Sequence, residues 1–506
     1  MITTRIAPSP TGPLHLGTAR TALYSYLLAK SQKWKFILRI EDTDTARSTK
    51  FFEEDIMEWL KWLWLDRDAW PDKNDDKWPY RQMERLAIYK QYVDKLIQEW
   101  KAYYAWETPQ ELEEMRKEAQ KQKKPFIYRQ IQYTPQQIEK FKAEWRKPVV
   151  RFKVVPEVVE WEDMVKWKIS IDMSKVWDFV IMKSDWIPTF YLANVIDDAL
   201  MWVTHILRGE DHVSNTPKQI QLFKALWFEV PKFWHMPLLL NPNKSKMSKR
   251  DTENEFVTIS KFRQEWFLPE ALINFIALLW WHPSDDREFF NINIDEKRKY
   301  FNFPKNVWEL LREFKVEDIN DSNAVYDFKR ALWFNAEYIR MMKDEIFVER
   351  LQDYLFKYWD VEWKEILKIF TDKTYWLKIA PYIKVRLQTF GQFRDYCKYF
   401  FKEQLPSEEV LYHKKMKVTS ELVKQILPEI IQVLQNIDEK DWNEENLKQV
   451  LISYIKEKNL KNWQVLWPIR AILTGVEASP WAFEMLYILG KKESLKRLKD
   501  MLERIN

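Results

Sequence analysis

Arg5-Ile6-Ala7-Pro8-Ser9-Pro10-Thr11-Gly12-Pro13-Leu14-His15-Leu16-Gly17-Thr18-Ala19-Arg20 decides the fold. Thr4 to Ala7 reads as a short strand. Pro8 to Pro13 is too rich in proline to be anything but loop, and the spacing of Leu14, Ala19, Leu23 and Leu27 predicts a helix. A second strand, Phe36 to Ile40, runs into Glu41-Asp42-Thr43-Asp44. That places polar residues at a carboxyl end of a parallel sheet, where ligands of open α/β folds bind.

Moving outward, the pattern changes between about residues 101 and 185. A charged helix around Pro109 to Lys124 gives way to β-rich pieces such as Val149 to Val155, which reads as an insert. The α/β pattern resumes through Leu192-Ala193-Asn194-Val195-Ile196-Asp197-Asp198 and Val203 to Asp211. The first domain is therefore expected from residues 1–100 and 186–240, split by the insert at 101–185. A junction at 241–321 follows, and from 322 to 506 apolar residues recur at helical spacing.

Composition bounds the function. A chain of 506 residues is too long for one core. Charged residues make up 31%, and no apolar run nears the roughly 20 residues of a membrane span. The N-terminus has no basic segment followed by an apolar stretch, so a soluble, cytoplasmic protein is expected. With Cys397 as the only cysteine, an intrachain disulfide and a cysteine-rich zinc site are excluded; no zinc is expected. A net charge of +5 permits a polyanionic partner without demanding one.

Two elements carry chemistry. His15 and Thr18 stand three apart at the start of the first helix, beside unpaired backbone N–H groups that attract phosphate, with Gly17 leaving room for a flat ring between them. Lys246-Met247-Ser248-Lys249-Arg250 follows the apolar run Met236 to Leu240 in a polar loop. Alone, such a pentapeptide is more often a solvated basic patch. Paired with the first element, it supplies ammonium groups that can neutralise a pyrophosphate leaving group.

These stretches, with Leu38-Arg39-Ile40-Glu41-Asp42-Thr43-Asp44, Arg208-Gly209-Glu210-Asp211-His212, Asn215-Thr216-Pro217, Leu268-Pro269-Glu270-Ala271-Leu272 and Leu332-Trp333-Phe334-Asn335, resemble the bacterial glutamyl-tRNA synthetases, members of class I, along almost the whole chain. The resemblance implies a Rossmann-like parallel-sheet catalytic domain, an insert that holds the tRNA acceptor end, a stem-contact junction carrying the Lys246 loop, and an all-helical anticodon-binding region. It implies ATP with Mg²⁺, L-glutamate and tRNA(Glu) as partners and a monomer as the default; charging of tRNA(Gln) stays open. His15, Thr18, Lys246 and Lys249 are the implied catalytic residues. For ATP it implies Ser9, His15, Gly17, Glu210, Lys246 and Lys249. For glutamate it implies Arg5, Ala7, Ser9, Glu41, Phe190, Asn194 and Arg208, where the arginines suit carboxylates and Glu41 an ammonium group. Arg386 is a candidate tRNA contact. One departure touches the pocket: the family usually has tyrosine where Phe190 stands, and Tyr191 comes one residue later.

The chain has 6 glycines and 28 tryptophans, against roughly 35 glycines at average usage. Within the family pattern glycine is expected at Trp34, Trp59, Trp64, Trp70, Trp167, Trp186, Trp202, Trp227, Trp266, Trp280 and Trp481, whereas Trp62, Trp281 and Trp333 are usual. Several of these positions are turn-like, and Trp202 is expected to overpack a buried strand. A gene in which UGA encodes glycine, translated with UGA as tryptophan, would produce this pattern.

Overall fold

The structure, a computed structural model, describes residues 2–245, 258–290, 308–358, 364–365 and 372–505. The Lys246 to Arg250 loop lies outside the described residues. The chain divides into two compact units. One holds residues 1–263 and 269–330, the other 264–268 and 331–506.

The first unit is built on a six-stranded sheet. Strand β1 (Thr3–Ile6) leads into helix α1 (Leu16–Ser31) and strand β2 (Lys35–Leu38), followed by α2 (Lys50–Trp62) and α3 (Leu86–Gln98). β1 pairs in parallel with β2 on one side and with a later strand, His205–Gly209, on the other. Parallel strands need covering on both faces, and all four residues of β1 are accordingly buried.

The segment 101–185 does two things. β3 (Ala102–Ala105), β4 (Val149–Phe152) and Phe179–Met182 make a separate antiparallel sheet, with helices α4 (Pro109–Lys121) and α5 (Pro135–Ala143) in the same segment. Between them, β5 (Val158–Asp163) and β6 (Trp167–Asp172) form a hairpin that extends the main sheet. Numbering Phe179–Met182 as β7, Phe190–Leu200 as α6, His205–Gly209 as β8, Thr216–Ala225 as α7 and Lys232–Met236 as β9, the main sheet runs β2-β1-β8-β9-β5-β6, with only the edge strand β6 antiparallel. The second unit is helical: Ser420–Gln435, Glu444–Glu457, Asn462–Thr474 and Ala482–Ile505 pack around buried aliphatic stripes. No described helix is long and apolar enough to cross a membrane.

The tryptophans divide by backbone. Trp64, Trp167, Trp186, Trp202, Trp227 and Trp266 have φ between 55° and 63°, as do Trp100 and Trp145. Trp59 lies within α2 and Trp280 is buried; neither these two nor Trp34, Trp70 and Trp481 have positive φ. The expectation that Trp202 overpacks the core is corrected: its ring is 67% exposed, and the misfit lies in the backbone.

Candidate active site

A cleft of about 860 Å³ opens at the carboxyl ends of β1 and β8 and the start of α1. Its wall brings together Arg5, Ala7, Ser9, His15, Gly17, Thr18, Glu41, Phe190, Asn194 and Arg208 from four separate stretches of chain. Parallel pairing explains the convergence, because β1 and β8 end side by side and α1 starts from the loop after β1.

His15 is the N-cap of α1 rather than part of its first turn. Its Nδ1 accepts a 3.0 Å hydrogen bond from the Gly17 N–H, so the neutral ring carries its proton on Nε2. A Cβ at Gly17 would meet that ring at 3.2 Å, so glycine here lets the histidine cap.

The charges of the cleft floor are divided unevenly. Arg5 donates to both oxygens of Asp198, at 3.2 and 3.3 Å. Arg39, fully buried, donates to Asp198 at 2.6 Å and to Glu41 at 3.3 Å, and Arg85 donates to Asp197 at 2.7 Å. Burial alone would raise Asp198, but Arg39 and Arg5 override it and hold the carboxyl below its ordinary range. At Glu41 burial wins over the same arginines and lifts the carboxyl above its usual value.

Arg208 is different. It is buried and pairs with no carboxylate among the described residues; its fork is held by neutral acceptors instead. Nε donates to His235 Nε2 at 3.1 Å, Nη1 to Gln219 at 2.6 Å and Nη2 to Thr216 at 2.6 Å. Thr216 and Gln219 share one face of the first turn of α7, and His235 is the register partner of Arg208 on β9. Burial, reinforced by Arg5, pulls Arg208 down to about 9. A cation so placed is stabilised by an incoming anion.

Asn194 accepts from Gln82 at 3.0 Å, which leaves its amide nitrogen as donor. Phe190 faces the cleft and stacks on His212, whose ring centroid is 5.6 Å away. Tyr191 does not take the place of the usual tyrosine: its hydroxyl donates to Asn215 at 3.2 Å and accepts from Lys218 at 3.1 Å, outside the cleft wall. Glu210 pairs with Lys166 at 2.6 Å and is not part of the wall, whereas its neighbours Asp211 and His212 are. Lys246 and Lys249 lie outside the described residues. The chain just beyond their loop is pinned beside His15, since the Ile259 N–H donates to the Leu14 carbonyl at 3.0 Å.

His235, Asp163, Thr216 and Gln219 were not among the residues expected from sequence. Thr216, Gln219 and His235 touch Arg208 directly and Asp163 reaches it through His235; strand register brings in the last two, and the first turn of α7 supplies the others. In the helical unit, a second cleft of about 640 Å³ is lined by Arg340, Arg386 and Arg470 together with Trp333 and Tyr396.

Residues 1–321 match the family described as the catalytic domain of class I tRNA synthetases (E and Q), and residues 346–502 match the anticodon binding domain. A glutamate–tRNA ligase of Caldanaerobacter subterraneus subsp. tengcongensis is 41% identical over 511 residues, covering 99% of each chain. One from a Sulfurihydrogenibium species is 36% identical over 503 residues, covering 99% of this chain and 98% of its own. A crystal structure of a glutamate tRNA ligase from Elizabethkingia meningosepticum in complex with its amino acid superposes with a TM-score of 0.84 at 30% identity over 100% of both chains.

Proposed function

The chain belongs to the glutamate–tRNA ligase family of class I tRNA synthetases, and we propose that the cleft between β1, β8 and α1 is where glutamate is activated with ATP. The family's reaction, joining glutamate to tRNA, is this chain's reaction. The observation that carries the assignment of the site is Arg208, a buried guanidinium with three neutral partners and no carboxylate among the described residues. A glutamate carboxylate supplies the missing charge. Arg5, already tied to Asp198, offers its remaining donors to the same substrate. Glu41 accepts the α-ammonium group, and Ser9, Asn194 and the Ala7 backbone complete the pocket beside Phe190.

The reaction has two steps. The α-carboxylate of glutamate attacks the α-phosphorus of ATP, forming glutamyl-adenylate and expelling pyrophosphate. The 2′-hydroxyl of the terminal adenosine of tRNA then takes the glutamyl group and AMP leaves. His15, protonated on Nε2, and the N–H groups at the start of α1 stabilise charge on the phosphates, with Thr18 beside them and Gly17 under the nucleotide. Lys246 and Lys249 neutralise the pyrophosphate. Mg²⁺ fits as a passenger of the nucleotide, since it takes oxygen ligands and keeps several waters. Asp211, on the cleft wall, is the carboxylate that would reach it, and the ion would draw charge from the phosphates.

Segment 101–185 is assigned to the tRNA acceptor end, 241–321 to the stem and 322–506 to the anticodon, with Arg386 in the arginine-lined cleft as a contact. The protein is assigned to the cytoplasm as a monomer. Charging of purified tRNA(Glu) and tRNA(Gln) in parallel tests the reading: tRNA(Glu) is charged, and Arg208→Lys raises the KM for glutamate by about tenfold or more while that for ATP stays put. Unchanged glutamate KM in that variant would contradict it.

A further inference from the structure

We propose that His235, backed by Asp163, is a positioning residue for glutamate: it fixes the plane of the Arg208 fork so that its outer donors face the cleft. The proposal rests on the reading of Arg208 as the glutamate anchor. His235 is fully buried and absent from the cleft wall, so it touches no substrate. Its Nδ1 lies 2.5 Å from Asp163 Oδ2. Asp163 Oδ1 accepts backbone N–H bonds from Val165 and Lys166 at 3.1 Å and from His235 itself at 3.3 Å, a donor set that favours an ionised carboxylate. An ionised Asp163 can only accept, so the proton sits on Nδ1 and the Nε2 lone pair is left for the Arg208 Nε–H at 3.1 Å. Thr216 Oγ1, 2.9 Å from the same Nε2, accepts from Arg208 Nη2 and closes the clamp. The charged groups around the ring are Asp163 from β5, Arg208 from β8 and Lys166 from the β5–β6 turn, the last neutralised by Glu210. A protonated ring would turn a donor toward the guanidinium, so the clamp works only with neutral imidazole.

The test uses the full chain and four variants. Asparagine at 235 reaches the place of Nδ1 and keeps Asp163 but offers nothing to Arg208, whereas glutamine carries an acceptor out to the place of Nε2. His235→Asn is expected to raise the KM for glutamate by about tenfold or more, with the KM for ATP and tRNA and the melting temperature unchanged, and His235→Gln to restore most of it. Asp163→Asn, which frees the ring to adopt the other tautomer at constant volume, gives the same glutamate-specific rise and serves if His235→Asn fails to fold. Arg208→Lys is the control. If it raises the glutamate KM and neither His235→Asn nor Asp163→Asn does, or if those two raise all three KM values with a falling melting temperature, the positioning role is wrong. If Arg208→Lys itself leaves the glutamate KM unchanged, the reading beneath it is wrong.

A separate observation carries a second inference. We infer that the tryptophans in left-handed backbone are glycine in the protein made by its own cell, their codon being UGA. Among the described residues, eight of the fourteen non-glycine positions with positive φ are tryptophan, a bulky residue with no affinity for that region. Five of the eight, Trp64, Trp100, Trp145, Trp202 and Trp227, stand one residue past the helix C-cap. In each case the tryptophan N–H and the next N–H reach back to helix carbonyls, as in Trp202 to Ala199 and Val203 to Asp198. That paired bonding is the Schellman ending, whose left-handed residue is usually glycine. Nor does burial favour the indoles: Trp100, Trp145 and Trp227 are 78–90% exposed. Lys77 and Lys101 over the Trp202 and Trp227 rings are surface contacts of minor weight. Gene sequencing, with peptide masses from the protein purified from its own cells, decides. UGA codons and glycine masses are expected at the eight positions, and UGG with indole at the buried Trp281 and Trp376. UGG and indole at Trp64, Trp186 and Trp202 would overturn the inference.

Discussion

Phe190 and Tyr191 show how much one position decides. Both rings belong to the first turn of α6, yet only Phe190 faces the cleft, because a step of one residue turns a helical side chain by about 100°. Phe190→Tyr is expected to place a hydroxyl on the cleft wall and lower the KM for glutamate about two- to tenfold, the range of one neutral hydrogen bond. Tyr191→Phe is expected to leave that KM unchanged, its hydroxyl being engaged with Asn215 and Lys218. Steady-state kinetics in glutamate check both. Arg5, Glu41 and Arg208, which line the cleft, could be picked out in advance because each lies in a stretch with a recognisable pattern. His235 and Asp163 were not: neither lies in a stretch with such a pattern, and only the adjacency of β8, β9 and β5 brings the pair behind Arg208.

At the scale of elements, the strand–loop–helix opening was readable to within one or two residues, since proline-rich loop and apolar spacing fix β1 and α1 locally. The β5–β6 hairpin was not. Its alternating burial identifies strands, but nothing in 158–172 says that Asp163 pairs with Phe233 across seventy residues of chain. Helix endings lend themselves to measurement. Trp202→Gly is expected to stabilise the fold by about 1–2 kcal/mol, by removing a left-handed non-glycine residue at little loss of packing. Trp281→Gly, which empties a fully buried site against Phe290 and Phe314, is expected to cost about 3–5 kcal/mol or more. Denaturant midpoints of the two variants against the parent chain separate the two classes of tryptophan.

At the scale of the molecule, two buried histidines of the sheet, His205 and His235, and the half-buried His212 of the following turn are held neutral. Burial pushes His205 and His212 from 6.5 down to about 4, and lowers His235 against the pull of Asp163. The unfolded imidazoles take protons near 6.5. Between that value and about 4 the unfolded chain therefore binds more protons, so stability is full above the window and declines as pH falls through it. Urea midpoints are expected to drop between about pH 7 and about pH 5, more than carboxylate titration alone gives, and His205→Gln is expected to flatten the slope. A flat midpoint over that interval would contradict these neutral histidines.

The cleft proposed for glutamate activation lies in the first unit and the arginine-lined cleft in the second. ATP–pyrophosphate exchange driven by glutamate tests this account most directly. With tRNA(Glu) present, glutamate is expected to drive exchange, glutamine to drive none, and omission of tRNA to abolish the signal. No exchange with glutamate under either condition, or equal exchange with glutamine, would contradict the assignment of the cleft.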